Sequence, residues 1–162
     1  DMKMKSLFFY QTIIGKIGVV ENEGQITNLY LESEELPTDL EIRETEVLKT
    51  AGKQLLEYFT GRRKNFELPL APAGTEFQRR VWQALCHIPY GETVSYKEIA
   101  KKINNDKATR AVGMANHRNP IPIFIPCHRV IGANGKLVGY GGGLEIKKAL
   151  LELEYLNKSC CL

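Results

Sequence analysis

Three short β-rich runs open the chain. Ser6 to Thr12, Lys16 to Val20 and Gln25 to Leu31 are rich in aromatic and aliphatic residues, with turn signals at Gly15 and Glu23-Gly24 between them. This spacing predicts a three-stranded antiparallel meander. Glu32 to Leu40 is acidic and carries Pro37, which reads as a loop. From Glu44 the apolar period changes: Val47, Leu48, Ala51, Leu55, Tyr58 and Phe59 fall on one helical stripe, and Gly61 ends it. Arg62-Arg63-Lys64 reads as a solvated basic turn. Leu68-Pro69-Leu70-Ala71-Pro72-Ala73-Gly74 has linker composition. The chain therefore divides into an N-terminal α/β domain (1–68), a linker (69–74) and a C-terminal domain (75–162).

The second half is mostly helical. Thr75-Glu76-Phe77-Gln78 is a capping box, followed by a helix through Phe77, Val81, Trp82 and Leu85, with Cys86 continuing the packed stripe. Pro89-Tyr90-Gly91 breaks the chain. Ser95-Tyr96-Lys97-Glu98 is a second capping box, opening a short helix through Ile99, Ala100 and Ile103. Asn104-Asn105-Asp106 makes a turn that holds the N-cap of the next helix, from about Lys107 to His117. Two helices joined by a tight turn outline a helix-turn-helix.

On the second of these helices, Ala108, Ala111, Val112 and Ala115 form one face, and Arg110, Gly113, Met114 and His117 the other. The second face is small and lets another surface come close, as a minor groove requires. A helix packed in a bundle, with Arg110 in solvent, satisfies the same pattern. Beyond it, Asn134-Gly135 is a hairpin signal, and Gly139-Tyr140-Gly141-Gly142-Gly143 is a glycine cluster without the context of a phosphate loop. Leu144 to Leu156 is the last helix, with a core stripe of Ile146, Ala149, Leu150 and Leu153 and with Glu154 at its edge. The expected fold class is α/β (α+β): an N-terminal three-stranded antiparallel sheet with a helix, then a mostly helical, winged-helix-like domain.

Composition adds little. The 162 residues are 43% hydrophobic and 25% charged, with a formal net charge of +3. That charge permits a nucleic-acid partner but does not argue for one, since any grip on phosphates must come from local placement. Cys86, Cys127, Cys160 and Cys161 form neither a disulfide framework nor a zinc spacing. No apolar run reaches membrane length. A cytoplasmic protein with reduced thiols is expected (nuclear in a eukaryote), without metal or cofactor.

The chemistry concentrates in Pro122-Ile123-Phe124-Ile125-Pro126-Cys127-His128-Arg129-Val130. The two prolines kink an otherwise apolar segment and present Cys127 at a pocket. A thiol beside an imidazole can be held as thiolate, the nucleophilic form. In a regular strand neighbouring side chains point to opposite faces. Either the backbone leaves strand geometry after Pro126, or a water bridges Cys127 and His128. The residues alone also allow a winged-helix-like DNA-binding module with an inert buried Cys127, or a cysteine hydrolase.

This stretch resembles the active-site signature of the O6-alkylguanine-DNA alkyltransferases. The resemblance spans residues 75 to 156 and includes Val94-Ser95-Tyr96, Thr109-Arg110-Ala111-Val112-Gly113, Arg118-Asn119-Pro120 and Tyr140-Gly141-Gly142-Gly143-Leu144. It implies single-turnover repair of alkylated guanine in double-stranded DNA by a monomer, through the minor groove and after base flipping. Cys127 would be the alkyl acceptor, His128 its base through a water, and Glu154 the orienter of the imidazole. Asn119 would brace the segment, and Tyr96 would donate a proton to the guanine ring. Arg110 would fill the place of the flipped nucleotide, with Tyr96, Ala111, Gly113 and Met114 also at the DNA. Pro122, Val130, Tyr140 and Gly141 would wall the base pocket. Gly141 stands where some relatives carry serine, so a hydroxyl is missing there. Relatives with an N-terminal zinc site use Cys and His, and the first 85 residues here have neither.

Overall fold

The structure is a computed structural model describing residues 4–138, 140 and 142–159. The chain forms two compact units that meet in sequence between Pro72 and Ala73.

The first unit is a four-stranded sheet with one helix. Strands β1 (Lys5–Thr12), β2 (Gly15–Asn22) and β3 (Gln25–Tyr30) form the expected antiparallel meander. The β2–β3 turn places Glu23 at φ 52° and Gly24 at φ 83°. Positive φ at both central residues matches the right-handed twist of a tight hairpin. A fourth strand, β4 (Leu40–Ile42), pairs parallel to β1, giving the order β3-β2-β1-β4. This strand begins at Leu40, where the acidic loop was expected to end, and three residues, two of them exposed, show no alternation that would mark it.

Helix α1 (Glu46–Phe59) buries Leu48, Ala51, Leu55 and Tyr58. Gly52 is required on that face: a Cβ there would lie 2.2 Å from the Tyr10 ring. Within the expected linker, Ile26 donates to the Pro69 carbonyl at 2.8 Å and accepts from Ala71 at 2.8 Å. That stretch is therefore paired to β3.

The second unit gathers α2 (Glu76–Leu85), β5 (Val94–Ser95), α3 (Tyr96–Lys102), α4 (Thr109–His117), β6 (Val130–Ile131) and α5 (Leu144–Asn157). Both capping boxes form, Thr75 with Gln78 and Ser95 with Glu98. Trp82 of α2 is buried, and its indole N–H donates to the Ala115 carbonyl at 2.8 Å, pinning α2 to α4. Strands β5 and β6 pair in parallel, Val94 with Val130 and Ser95 with Ile131. Two residues each suffice to fix the start of α3 beside the chain that follows Cys127.

Four local expectations need correction. Cys86 caps α2 and is exposed, because the buried stripe of α2, Val81, Trp82 and Leu85, ends one residue earlier. The cap of α4 is Ala108, without a side-chain bond, so the Asn104-Asn105-Asp106 turn does not cap it. Ala111 is exposed, and Asn116 takes the place on the buried face that the pattern assigned to it. Around Asn134-Gly135 the chain makes a tight turn, with Gly132 donating to the Lys136 carbonyl at 2.8 Å, and no returning strand follows among the described residues.

Candidate active site

Residues 119–129 form a compact knot of short-range bonds. Asn119 accepts from the Ile121 N–H at 3.0 Å and donates to the Ile125 carbonyl at 2.8 Å. Ile125 also donates to the Ile121 carbonyl at 2.9 Å. Within this loop Ile123 has φ 76°, a conformation that costs a β-branched residue roughly 1–3 kcal/mol and persists only where surrounding bonds impose it. Pro126, at φ −79° and ψ 64°, sits at the centre of an inverse γ-turn closed by Cys127 N–H to the Ile125 carbonyl at 2.7 Å. Proline suits this position because its N–H is not needed and its φ is already set. Cys127, His128 and Arg129 then form one 3-10 turn. The backbone does leave strand geometry after Pro126, which resolves the question of opposite faces.

Cys127 is 5% exposed. His128 is completely buried, and its Nε2 lies 2.7 Å from Glu154 Oε2. With Nε2–H donating to the carboxylate, Nδ1 keeps its lone pair and can accept a proton. Nδ1 has no hydrogen-bond partner among the described residues. Glu154 is 1% exposed, so the expectation of a rim carboxylate understated its burial.

Two cations to which the sequence pattern assigned no role, Arg129 and Lys147, complete the site. Arg129 donates to both Glu154 oxygens, from Nε at 2.8 Å and Nη2 at 2.9 Å, and from Nη1 to the Ile88 carbonyl at 2.7 Å. Burial raises the Glu154 carboxyl, but the hydrogen bonds of His128 and Arg129 and the Arg129 charge outweigh it and hold the group well below the usual carboxylate range. Burial and the charges of Arg129 and Lys147 push the His128 imidazole down, against the pull of Glu154, leaving a neutral base. Lys147 is fully buried and donates to the carbonyls of Val130 at 2.7 Å and Val138 at 2.8 Å. Burial lowers its pKa, and negative charge on Cys127 would act in the opposite direction. The available signal was spacing: Lys147, Leu150 and Glu154 share one face of α5, and the buried face is centred there rather than on Ile146 and Leu153.

Tyr96, half-buried at the start of α3, points its hydroxyl at the Val138 carbonyl, 3.3 Å away. Burial raises its phenol pKa, as does the Cys127 charge. Pro122, Val130 and Tyr140 are buried. Gly141 lies outside the described residues. On α4, Arg110, Ala111 and Met114 are exposed, Met114 to 57%, and Gly113 is half-buried.

A nearly buried thiol, next in sequence to an imidazole held by a charge-balanced carboxylate, is the make-up of a cysteine-nucleophile class of protein. Comparison with known proteins narrows this. Residues 76–156 match the DNA-binding domain of 6-O-methylguanine DNA methyltransferase, and residues 8–72 match the ribonuclease-like domain of the same proteins. The chain is 52% identical over 148 residues to a methylated-DNA–protein-cysteine methyltransferase of Methanosarcina barkeri, covering 89% of this chain and 93% of that one. It is 49% identical over 154 residues to the constitutive enzyme of that name from Bacillus subtilis, covering 91% and 93%. The crystal structure of Mycobacterium tuberculosis OGT in complex with DNA superposes with a TM-score of 0.89 at 45% identity, covering 94% of each chain. The chain belongs to the 6-O-methylguanine DNA methyltransferase family, whose members repair DNA by transferring an alkyl group to one of their own cysteines.

Proposed function

We propose that this protein repairs O6-alkylguanine in double-stranded DNA by moving the alkyl group irreversibly to Cys127. The observation that carries the assignment is the acceptor thiol, 5% exposed and adjacent in sequence to the buried His128–Glu154–Arg129 network. Neutral His128 takes the thiol proton through a water, and Glu154 orients the ring. The sulfur attacks the alkyl carbon, and the C–O6 bond breaks with its electron pair left on guanine. Tyr96 gives its phenol proton to the guanine ring as that charge develops. The thioether has no leaving route, so each molecule reacts once.

The target atom is unreachable inside a duplex, so the base is flipped out. The segment α3–turn–α4 acts as the helix-turn-helix of a winged-helix-like domain and enters the minor groove. Exposed Arg110 fills the emptied place in the stack, a role for a long, flat, permanently charged side chain. Ala111, Gly113 and Met114 allow close approach, and Pro122, Val130, Tyr140 and Gly141 wall the pocket. Asn119 acts by bracing the loop ahead of Cys127, and the protein acts as a monomer.

The test is intact-protein mass and peptide mapping after mixing with a duplex carrying one O6-methylguanine. One methyl per chain on Cys127, absent with undamaged DNA and with Cys127→Ala, is the expected result. No mass gain by freshly reduced protein sinks the assignment.

A further inference from the structure

We propose that Gly91 is a positioning residue for the transfer: having no Cβ, it lets the last turn of α5 close onto the turn at residues 88–92, and that approach sets Glu154 against His128. The inference rests on the reading of His128 as the base that activates Cys127.

Glu92 donates to the Pro89 carbonyl at 3.1 Å, so Pro89, Tyr90, Gly91 and Glu92 make a four-residue turn with Gly91 third. Gly91 has φ 80° there, the positive φ that the third position of a type II turn requires. That demand alone would admit asparagine as well. The second demand admits only glycine. A Cβ on Gly91 would lie 2.5 Å from Lys158 Cβ, whereas ordinary contact begins at 3.4 Å. It would also come within 3.5 Å of the backbone carbonyl oxygen of Glu154. Glu154 and Lys158 stand four apart, one above the other along α5. Gly91 is therefore seated against the very turn of α5 that carries the carboxylate.

The same turn holds both charged partners of the network. Gly91 N–H donates to Glu154 Oε1 at 3.3 Å, and the Ile88 carbonyl accepts from Arg129 Nη1 at 2.7 Å. The Tyr90 ring centre lies 5.6 Å from the Arg129 guanidinium. The other oxygen of Glu154, Oε2, holds His128 Nε2 at 2.7 Å. The turn is thus the fixed seat from which α5 presents its carboxylate to the imidazole. Opening that seat to ordinary contact distance displaces α5 by about 1 Å, and a misplacement of that size away from the reacting atoms can cost on the order of a hundredfold in rate. Gly91 makes and breaks no bond in the transfer; it acts through Glu154.

The experiment measures single-turnover transfer from a duplex carrying O6-methylguanine by wild type, Gly91→Ala, Lys158→Gly and the double variant, over a range of DNA concentrations and well below each melting temperature. Gly91→Ala should react about ten- to a hundredfold more slowly at saturating DNA, with the half-saturating concentration unchanged within about twofold. Lys158→Gly removes the Cβ that Gly91→Ala would strike. The double variant should therefore return to within about threefold of the wild-type rate, while still melting lower because the strain of a positive φ remains. Nitrogen NMR of the histidine rings adds a readout that lost stability alone does not move. His128 should keep its Nε2–H tautomer in the wild type and the double variant, and lose it in Gly91→Ala. A wild-type saturating rate in Gly91→Ala overturns the proposal, as does a double variant as slow as Gly91→Ala, which places the effect in the turn's own backbone. If Gly91→Ala does not fold, Gly91→Asn, which accepts positive φ, carries the same cycle. A wild type that takes up no methyl group removes the transferase reading, and this inference with it.

Discussion

Replacing Arg129 with methionine removes the cation that neutralises the most buried carboxylate of the site. Methionine keeps most of the apolar stem and fills irregular space. What disappears is a fork of two bonds to Glu154, at 2.8 and 2.9 Å, and a third to the Ile88 carbonyl at 2.7 Å. Glu154, 1% exposed, retains His128 and the more distant Gly91 N–H at 3.3 Å. Removing one partner of a buried ion pair costs about 3–5 kcal/mol. At roughly 2–4 °C per kcal/mol for a chain of this size, the melting temperature should fall by about 6–20 °C.

The pH dependence follows from the sign of the shift. A carboxyl whose folded pKa is depressed contributes stability above its unfolded pKa, about 4.3, and loses it as pH falls through the folded value. Without Arg129 the depression shrinks, so Arg129→Met should lose stability at a higher pH on acidification. Thermal melts of wild type, Arg129→Met, Glu154→Gln and the double variant between about pH 4 and 8 test this. Glu154→Gln should cost markedly less in the Arg129→Met background, since no stranded charge remains. Additive effects, or an Arg129→Met melt within about 2 °C of wild type, would refute the reasoning.

Three further outcomes are expected. Transfer should slow on acidification with a midpoint below about 6.5, because burial lowers the His128 pKa; stability should also decline below that value, where the unfolded chain binds a proton that the folded one refuses. A rate–pH midpoint above 6.5 contradicts this. Lys147→Met leaves the Val130 and Val138 carbonyls without their donor, and should cost about 1–4 kcal/mol in urea unfolding and speed proteolysis between Ile131 and Leu144. Gly52→Ala forces a Cβ into the Tyr10 ring and should cost about 1–3 kcal/mol in denaturant, with the rate of methyl transfer to Cys127 unchanged well below the melt.

The local elements were largely legible. Alternation and turn residues marked β1 to β3, helical period marked α1, α2 and α5, and both capping boxes form where Ser/Thr and Glu/Gln stand three apart. β4 escaped because three residues carry too few positions for a period. Cys86 was misplaced because a stripe can be extended by one residue on paper, whereas the packing partner ends where it ends. The burial of Glu154 and Lys147 was invisible for a related reason: a charged residue on a helix reads as surface until a partner from elsewhere is known.

By itself, the sequence determined the candidate nucleophile and its neighbour, Cys127 and His128, the prolines that kink their segment, and the helix carrying Arg110. These are matters of residue type and short spacing, which chain chemistry expresses directly. Only the tertiary structure decided which groups hold the imidazole neutral and the carboxylate charged. Glu154 is 26 positions from His128, Lys147 is 17 from Val130, and Asn116 is 11 from Cys127. Contacts over such separations depend on how β5, β6, α4 and α5 pack, and no local pattern encodes the dry setting in which two cations and a carboxylate outweigh the cost of their burial.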